Sequence, residues 1–534
     1  MQSLLCKSGK TRLIALSGAT LAALAFSAGG ALAADIKQSG EQKDMKLVGH
    51  VALQFRGAYQ PNVIVYPDGR TIAFAGLHSG QNLPGPLPNP LNGGKLEENG
   101  TMIIDITDPK HPVEKFHIPV PVAGGQATMV RLCLGSDLPG GMSGRVYLLR
   151  NIQGSSASGY EVYDVTNVGA PVLVSAVRNL RSTHKSWWEC KTGIAYLPGS
   201  KNTAPLWRQS QSMLIYDWSR PHDPTYPLYL RTYGLQGGQP SPNSGTGPVP
   251  TSLHGAISAH EHPNAADKLV SGVDVIGNRI YAAWGVGSNG VLQILDRNKL
   301  LPPPYGIYTG DRDNPTEAQL LSAQVGRMDM SPDQGGHTSM PVFGVAPKSL
   351  QCSSSACPGT PSPDVRDIVV LTSEAGNCDS QHWGFIVDVS TENSIGVRQD
   401  PWQGPMVLST LWVNPQSGEK YPPRGNYCLR GQRFGTHSVE ENFRNPYYGR
   451  LTFTAYFNAG VRAWDITDPQ GAVEAGFYVP AAPNGTYMTN NVEVDNRGCI
   501  IIVDRIGNGM DILKLTGKAW NIGSGKRCDD DDDD

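Results

Sequence analysis

The chain has 534 residues, of which 62 are glycine and 41 proline, about a fifth of the total against the usual ~12%. That much turn chemistry excludes a helical bundle or coiled coil, and 39% hydrophobic with 17% charged residues is not the composition of a disordered chain. The formal net charge is −3 and includes an all-aspartate end, Asp529 to Asp534, so there is no basis for nucleic-acid binding.

Residues 1–34 read as a secretory signal peptide. Lys7, Lys10 and Arg12 precede an apolar run from Leu13 to Phe26, and Ala31-Leu32-Ala33 supplies the small-residue cleavage pattern. No later segment approaches the ~18 apolar residues of a membrane span, so the expected product is periplasmic or secreted. Cys6 leaves with the signal, and eight of the nine cysteines then face an oxidising compartment. Cys352 with Cys357 is the first expected disulfide, followed by Cys378 with Cys428 and Cys133 with Cys190. No CxxC occurs, and nothing has the spacing of a structural zinc site.

From residue 100 onward one element recurs: a short apolar strand ending in Asp, then an apolar or aromatic residue and a polar turn. It reads IIDITDP at Asp105, VYDVTNV at Asp164, IYDWSRP at Asp217, ILDRNKL at Asp296, IVDVSTE at Asp388, AWDITDP at Asp465 and MDILKL at Asp511. The spacings of 59, 53, 79, 92, 77 and 46 residues suit four-stranded units with insertions at the Pro/Gly/Ser-rich stretches 236–251, 301–316 and 348–364. The expected fold is all-β, a seven-bladed β-propeller of four-stranded blades with long loop insertions. It occupies residues 35–518 as a single domain, with 519–534 as a disordered acidic tail. Two or three β-sandwich domains in series are the alternative, against which no linker of distinctive composition appears. The recurring Asp is read as a turn former.

In a propeller the first strand of each blade lines the central channel. These strands are expected to begin near Asn62, Gln126-Ala127-Thr128, Thr183-His184, Leu253-His254, Gly336-His337, Thr436-His437 and Asn490-Asn491. Four successive blades thus offer a histidine, His184, His254, His337 and His437, at the equivalent step, and His260 and His262 follow His254 in SAHEHPN. A ring of neutral imidazoles suits Cu, Zn, Fe or Ni. The same ring also suits a polar channel lining without metal. Strand parity from His437 carries the channel face to Glu441 and sends Glu440 into the blade, whereas parity from His184 turns Glu189 away. The turns between second and third strands add His78, Arg150, Arg208, Trp284, Glu374, Asn458, Asp504 and Arg505, a mouth suited to a polar or anionic small molecule. Glu441, Arg150 and Arg505 are the catalytic candidates.

The phrases DITDPKHPVEKFHIP and FNAGVRAWDITDPQGAVEAGFYVP resemble the LVIVD-repeat family of bacterial exported propellers over most of 45–515. More distantly, the His-bearing inner strands resemble the selenium-binding protein family, which includes copper-dependent methanethiol oxidases. The first resemblance implies the propeller fold. The second implies copper, ahead of zinc or iron, and an oxidoreductase acting on a small molecule at the channel mouth. An alternative of another class is a metal-free propeller whose loops at 79–98, 236–251 and 348–364 dock a ligand or a protein partner. No nucleophile elbow, P-loop, dinucleotide fingerprint or haem-attachment motif is present.

Overall fold

A computed structural model describes residues 40–79, 85–154, 158–262, 276–346, 366–374, 376, 378, 381–390, 404–420, 425–430, 433–481, 486–523 and 528–529. The signal-peptide segment, the Cys352–Cys357 pair and the loop at 348–364 lie outside the described residues.

The fold follows from short runs rich in Val, Ile, Leu and aromatic residues, each ended by a turn. Blade 1 is built from Gly57–Val65, Thr71–His78, Thr101–Asp105 and Val113–Ile118, hydrogen-bonded in that order. Blades 2 to 5 repeat the antiparallel plan: Val130–Leu134 to Val172–Val177, Trp187–Glu189 to Leu228–Tyr233, Leu253–Ser258 to Gln324–Asp329, and Thr338–Val345 to Met406–Leu411. The seventh sheet starts at Thr489–Val494, and the result is a seven-bladed β-propeller of four-stranded antiparallel sheets.

Blade 6 departs from the plan at both edges. Its innermost segment pairs only locally, through His437 N to Ala455 O at 3.0 Å and Glu440 N to Phe453 O at 3.0 Å. Its outer strand, Val473–Val479, takes an added strand, Glu41–Lys43, from the N-terminal part of the domain. The next strand, Met45–Val51, then pairs with Met510–Leu515 and becomes the fourth strand of blade 7. The ring is therefore closed by strands drawn from both ends of the domain, which removes an open sheet edge.

The repeated Asp does the turn work expected of it. Asp105, Asp164, Asp217, Asp388 and Asp465 each accept a hydrogen bond from the amide two residues on, at 3.0, 3.0, 2.8, 2.8 and 3.0 Å. Asp296 instead caps a short helix by accepting from Lys299 N at 3.1 Å. Asp511 is different in kind: it sits near the start of its strand, not the end, and pairs with His50 at 2.6 Å.

Cys133–Cys190 and Cys378–Cys428 are bonded as expected, and a third disulfide joins Cys499 to Cys528. Past residue 518 the described residues comprise the rest of the helix Gly517–Gly523 and then Cys528 and Asp529, where Lys514 pairs with the Asp529 carboxylate. No helix among the described residues is long and apolar enough to cross a membrane.

Candidate functional site

The inner strands of blades 3 to 6 bring their four histidines into contact. Ring centroids are 4.6 Å apart for His184 and His254, 3.7 Å for His254 and His337, and 4.1 Å for His337 and His437. Tyr59 of blade 1 fills the remaining side. Its ring meets His184 and His437 edge-on at 5.3 and 5.2 Å, and its hydroxyl lies 3.2 Å from His337 Nε2 and 3.5 Å from His254 Nε2.

Backbone carbonyls orient two of these rings. His254 Nδ1 lies 2.9 Å from the carbonyl oxygen of His337, and His437 Nδ1 lies 2.6 Å from that of Asn490. A carbonyl can only accept, so Nδ1 carries the hydrogen and Nε2 presents a lone pair. His337 Nδ1 is 3.0 Å from the Thr338 hydroxyl. His437 Nε2 and His184 Nδ1 are buried with no hydrogen-bond partner among the described residues. Burial pushes all four imidazoles below their ordinary range, His184 to about 3, helped by nearby guanidinium, ammonium and imidazole charge. Near neutral pH the quartet is uncharged, and its unprotonated nitrogens carry lone pairs that a hydroxyl or a metal ion can engage.

The tightest donor set is not the four histidines. Ligand atoms of His254, His337 and Glu374 all lie within 4.8 Å of one another. Glu374 Oε1 is also 3.8 Å from His437 Nε2. Two or three imidazoles with one carboxylate make a donor set suited to Cu, Zn or Fe.

Above the quartet, Glu374 accepts from Arg433 at 2.6 Å, and Arg505 Nη1 stands 3.7 Å from the same oxygen. Arg505 also donates to Asn490 Oδ1 at 3.2 Å and lies 3.3 Å from His78 Nε2, while the His78 ring stacks 5.9 Å from Tyr59. Phe457, in the blade 6 hairpin, adopts φ of +42° and sets its ring 4.8 Å from His437. A bulky residue rarely takes that conformation.

The other sequence candidates go elsewhere. His260 and His262 lie beyond the end of Leu253–Ser258, and six residues of extended strand are roughly 20 Å. His260 Nδ1 is bonded to Gly277 O at 2.7 Å, and His262 packs among Phe343, Phe443 and Tyr448. Arg150 turns into its own blade, bonding Glu161 at 2.8 Å and Ile118 O at 2.7 Å, and so is absent from the mouth. Arg208 is held by the carbonyls of Gly237, Ser244 and Gly247. Trp284 is core, Asn458 bonds Tyr427 O, and Asp504 accepts amides from Met488, Ile506 and Asn508. Glu189 bridges to Ser258, Thr192 and Arg297 between blades 3 and 4. Asn62 is not the start of its strand: blade 1 begins five residues earlier, and Asn62 donates to Glu493 at 3.2 Å.

Glu441 does face the channel, where it meets Arg131 of blade 2 and Lys185 of blade 3, each at 2.6 Å. Both of its neighbours are buried cations, so its charge is spent on ion pairs rather than offered to the quartet. Beyond it a cavity of about 210 Å³ opens, lined in part by Arg131, Trp187, Glu441, Phe443 and Glu493. Sequence reasoning missed Tyr59, Arg433, Arg131 and Lys185. Pro61 disguised the strand that carries Tyr59, and parity from His184 skips Lys185.

No family model matches the chain, and no curated protein matches it. Among solved structures it is similar to a hypothetical selenium-binding protein from Sulfolobus tokodaii at 9% identity and a TM-score of 0.43, covering 82% of this chain and 92% of that one. It is also similar to the Dos1 propeller at 10% identity and a TM-score of 0.40, covering 89% of this chain and 96% of that one. Both are distant propeller resemblances.

Proposed function

We propose that this propeller binds one transition metal at the His184, His254, His337 and His437 quartet with Glu374, and acts as a metal-dependent oxidoreductase on a small polar molecule. The observation that carries the reading is the set of buried, neutral imidazoles, two of them, His254 and His437, with Nδ1 fixed by a backbone carbonyl so that Nε2 presents a lone pair, and Glu374 within reach of three of the rings. Buried imidazole nitrogens left without a hydrogen-bond partner, as at His437 Nε2 and His184 Nδ1, are costly, and a divalent ion held by the cluster would offset that cost. A bound metal would supply redox or Lewis-acid chemistry at the axis. The chain's own residues would do the rest: Asn490 and the His337 carbonyl hold the rings, Tyr59 offers a hydroxyl at the centre, and Arg505 orients what enters. The resemblance of the His-bearing inner strands to copper-dependent propeller oxidases favours copper over zinc or iron. The phrases around Asp105 and Asp465 favour a place among LVIVD-repeat propellers, and three disulfides with the signal-like N-terminus favour a periplasmic or secreted protein.

A second reading, a metal-free binding propeller, is favoured by one contact. The Tyr59 hydroxyl already reaches His337 and His254 Nε2, and a hydrogen-bonded tyrosine is how a channel without metal would satisfy these rings. Elemental analysis separates the two. About one equivalent of copper, zinc or iron in the purified protein, lost in the His254→Ala/His337→Ala double variant, is the expected result. Metal-free protein that takes up none of these ions on titration would leave the second reading.

A further inference from the structure

Arg433 and Arg505 reach the same oxygen, Glu374 Oε1, with Nη1 atoms at 2.6 and 3.7 Å. Among the described residues Glu374 is the sole carboxylate within 4 Å of either guanidinium. The remaining contacts of Arg505 are neutral, Asn490 Oδ1 and His78 Nε2, and Arg433 lies over the Phe457 ring at 5.5 Å. The imidazoles beneath are uncharged, so two full positive charges face one negative charge in a largely buried place: side-chain exposure is 13% for Arg505 and 15% for Glu374. On an open surface water would screen that imbalance, but in a channel a guanidinium lacking its counter-ion is poorly solvated and attracts one. Glu374 is moreover claimed from both sides, since Oε1 also faces His437 Nε2 at 3.8 Å. If it turns to the imidazoles, both guanidiniums are left to converge on a position the size of a carboxylate oxygen.

We propose that Arg433 and Arg505 form the binding site for the oxyanion group of a small organic anion, a carboxylate or sulfonate, entering by this mouth. Guanidinium forks match such groups with paired N–H donors and opposite charge, whereas a neutral acceptor gains only the hydrogen bonds and a cation is repelled. As a substrate assignment this rests on the metal-centre reading above, but the anion site itself needs no metal.

The test is calorimetric titration of chelator-treated protein with sodium methanesulfonate and sodium acetate at constant ionic strength, with metal uptake measured separately on the same preparations. Binding of at least one anion is expected, weakened about tenfold or more by Arg505→Gln and by Arg433→Gln. Arg208→Gln, at a guanidinium already spent on loop carbonyls, should bind as the wild type does. Glu374→Gln removes the competing carboxylate and should bind several-fold tighter, the opposite of what a structural disruption would cause. It therefore decides the matter even if an arginine variant fails to fold. No binding of either anion to wild type, unchanged binding in the arginine variants, or weaker binding in Glu374→Gln overturns the proposal. Failure of metal uptake with these anion results intact would overturn the metal reading alone.

Discussion

At the scale of single residues, the channel is defined by which charges are paired. Glu441 is buried with Arg131 and Lys185 at 2.6 Å each, from blades 2 and 3 across the ring. Removing its charge leaves two buried cations uncompensated, so Glu441→Gln should cost about 3–5 kcal/mol of stability, read as a lowered urea midpoint at pH 7. Its neighbour Glu440 has no cationic partner among the described residues. Burial, with the Glu441 charge beside it, pushes its carboxyl up to about 8. A carboxyl held protonated in the folded protein gives stability that is full below its ordinary pKa and is lost as pH rises through the folded value. The wild type should therefore lose stability relative to Glu440→Gln from about pH 4.5 to 8, by roughly 1.4 kcal/mol per pH unit. Melting curves of both proteins across that range check the sign, and a wild type that gains stability relative to Glu440→Gln as pH rises would refute it. The histidines were legible because identical residues fell at one step of four repeats. Tyr59 was not: it does the same job in blade 1 with a different side chain, behind a proline that conceals its strand.

At the scale of strands and turns, local chemistry was readable and long-range pairing was not. The Asp-turn hydrogen bonds span two residues, and composition alone announces them. By contrast, Met45 pairs with Leu515 and Glu41 with Val479, partners more than 400 residues away that nothing in either segment specifies. The closing strand leaves no room at Gly49, where a Cβ would stand 2.1 Å from the Pro109 carbonyl oxygen. Gly49→Val should accordingly destabilise the closure, detectable as faster amide exchange in Met510–Leu515 than in the blade 4 strands. The disulfide Cys499–Cys528 pins the C-terminal stretch to blade 7 across 29 residues. Serine at both positions should cost roughly 3–4 kcal/mol from loop closure, seen as a drop in the thermal midpoint under oxidising conditions and little change under reducing ones.

At the scale of the whole molecule, ring closure is what makes a site from residues spread over most of the chain. Tyr59, His78, His184, His254, His337, Glu374, His437 and Arg505 come from six of the seven blades and meet around the axis. Repeat counting was enough to foresee that convergence, but not which hairpin residues turn inward. Arg150 lies inside the strand Val146–Ile152, where Glu161 of the neighbouring strand captures it, whereas Arg505 stands just past the end of Ile500–Asp504 and is left at the mouth. The central claim is that these imidazoles hold a metal. Anomalous diffraction from crystals of the protein soaked in copper and collected at the copper edge tests it most directly. A single strong peak at bonding distance from Nε2 of His254 and His337 is the predicted result; no peak at the axis, or peaks only at surface histidines such as His111, would contradict it.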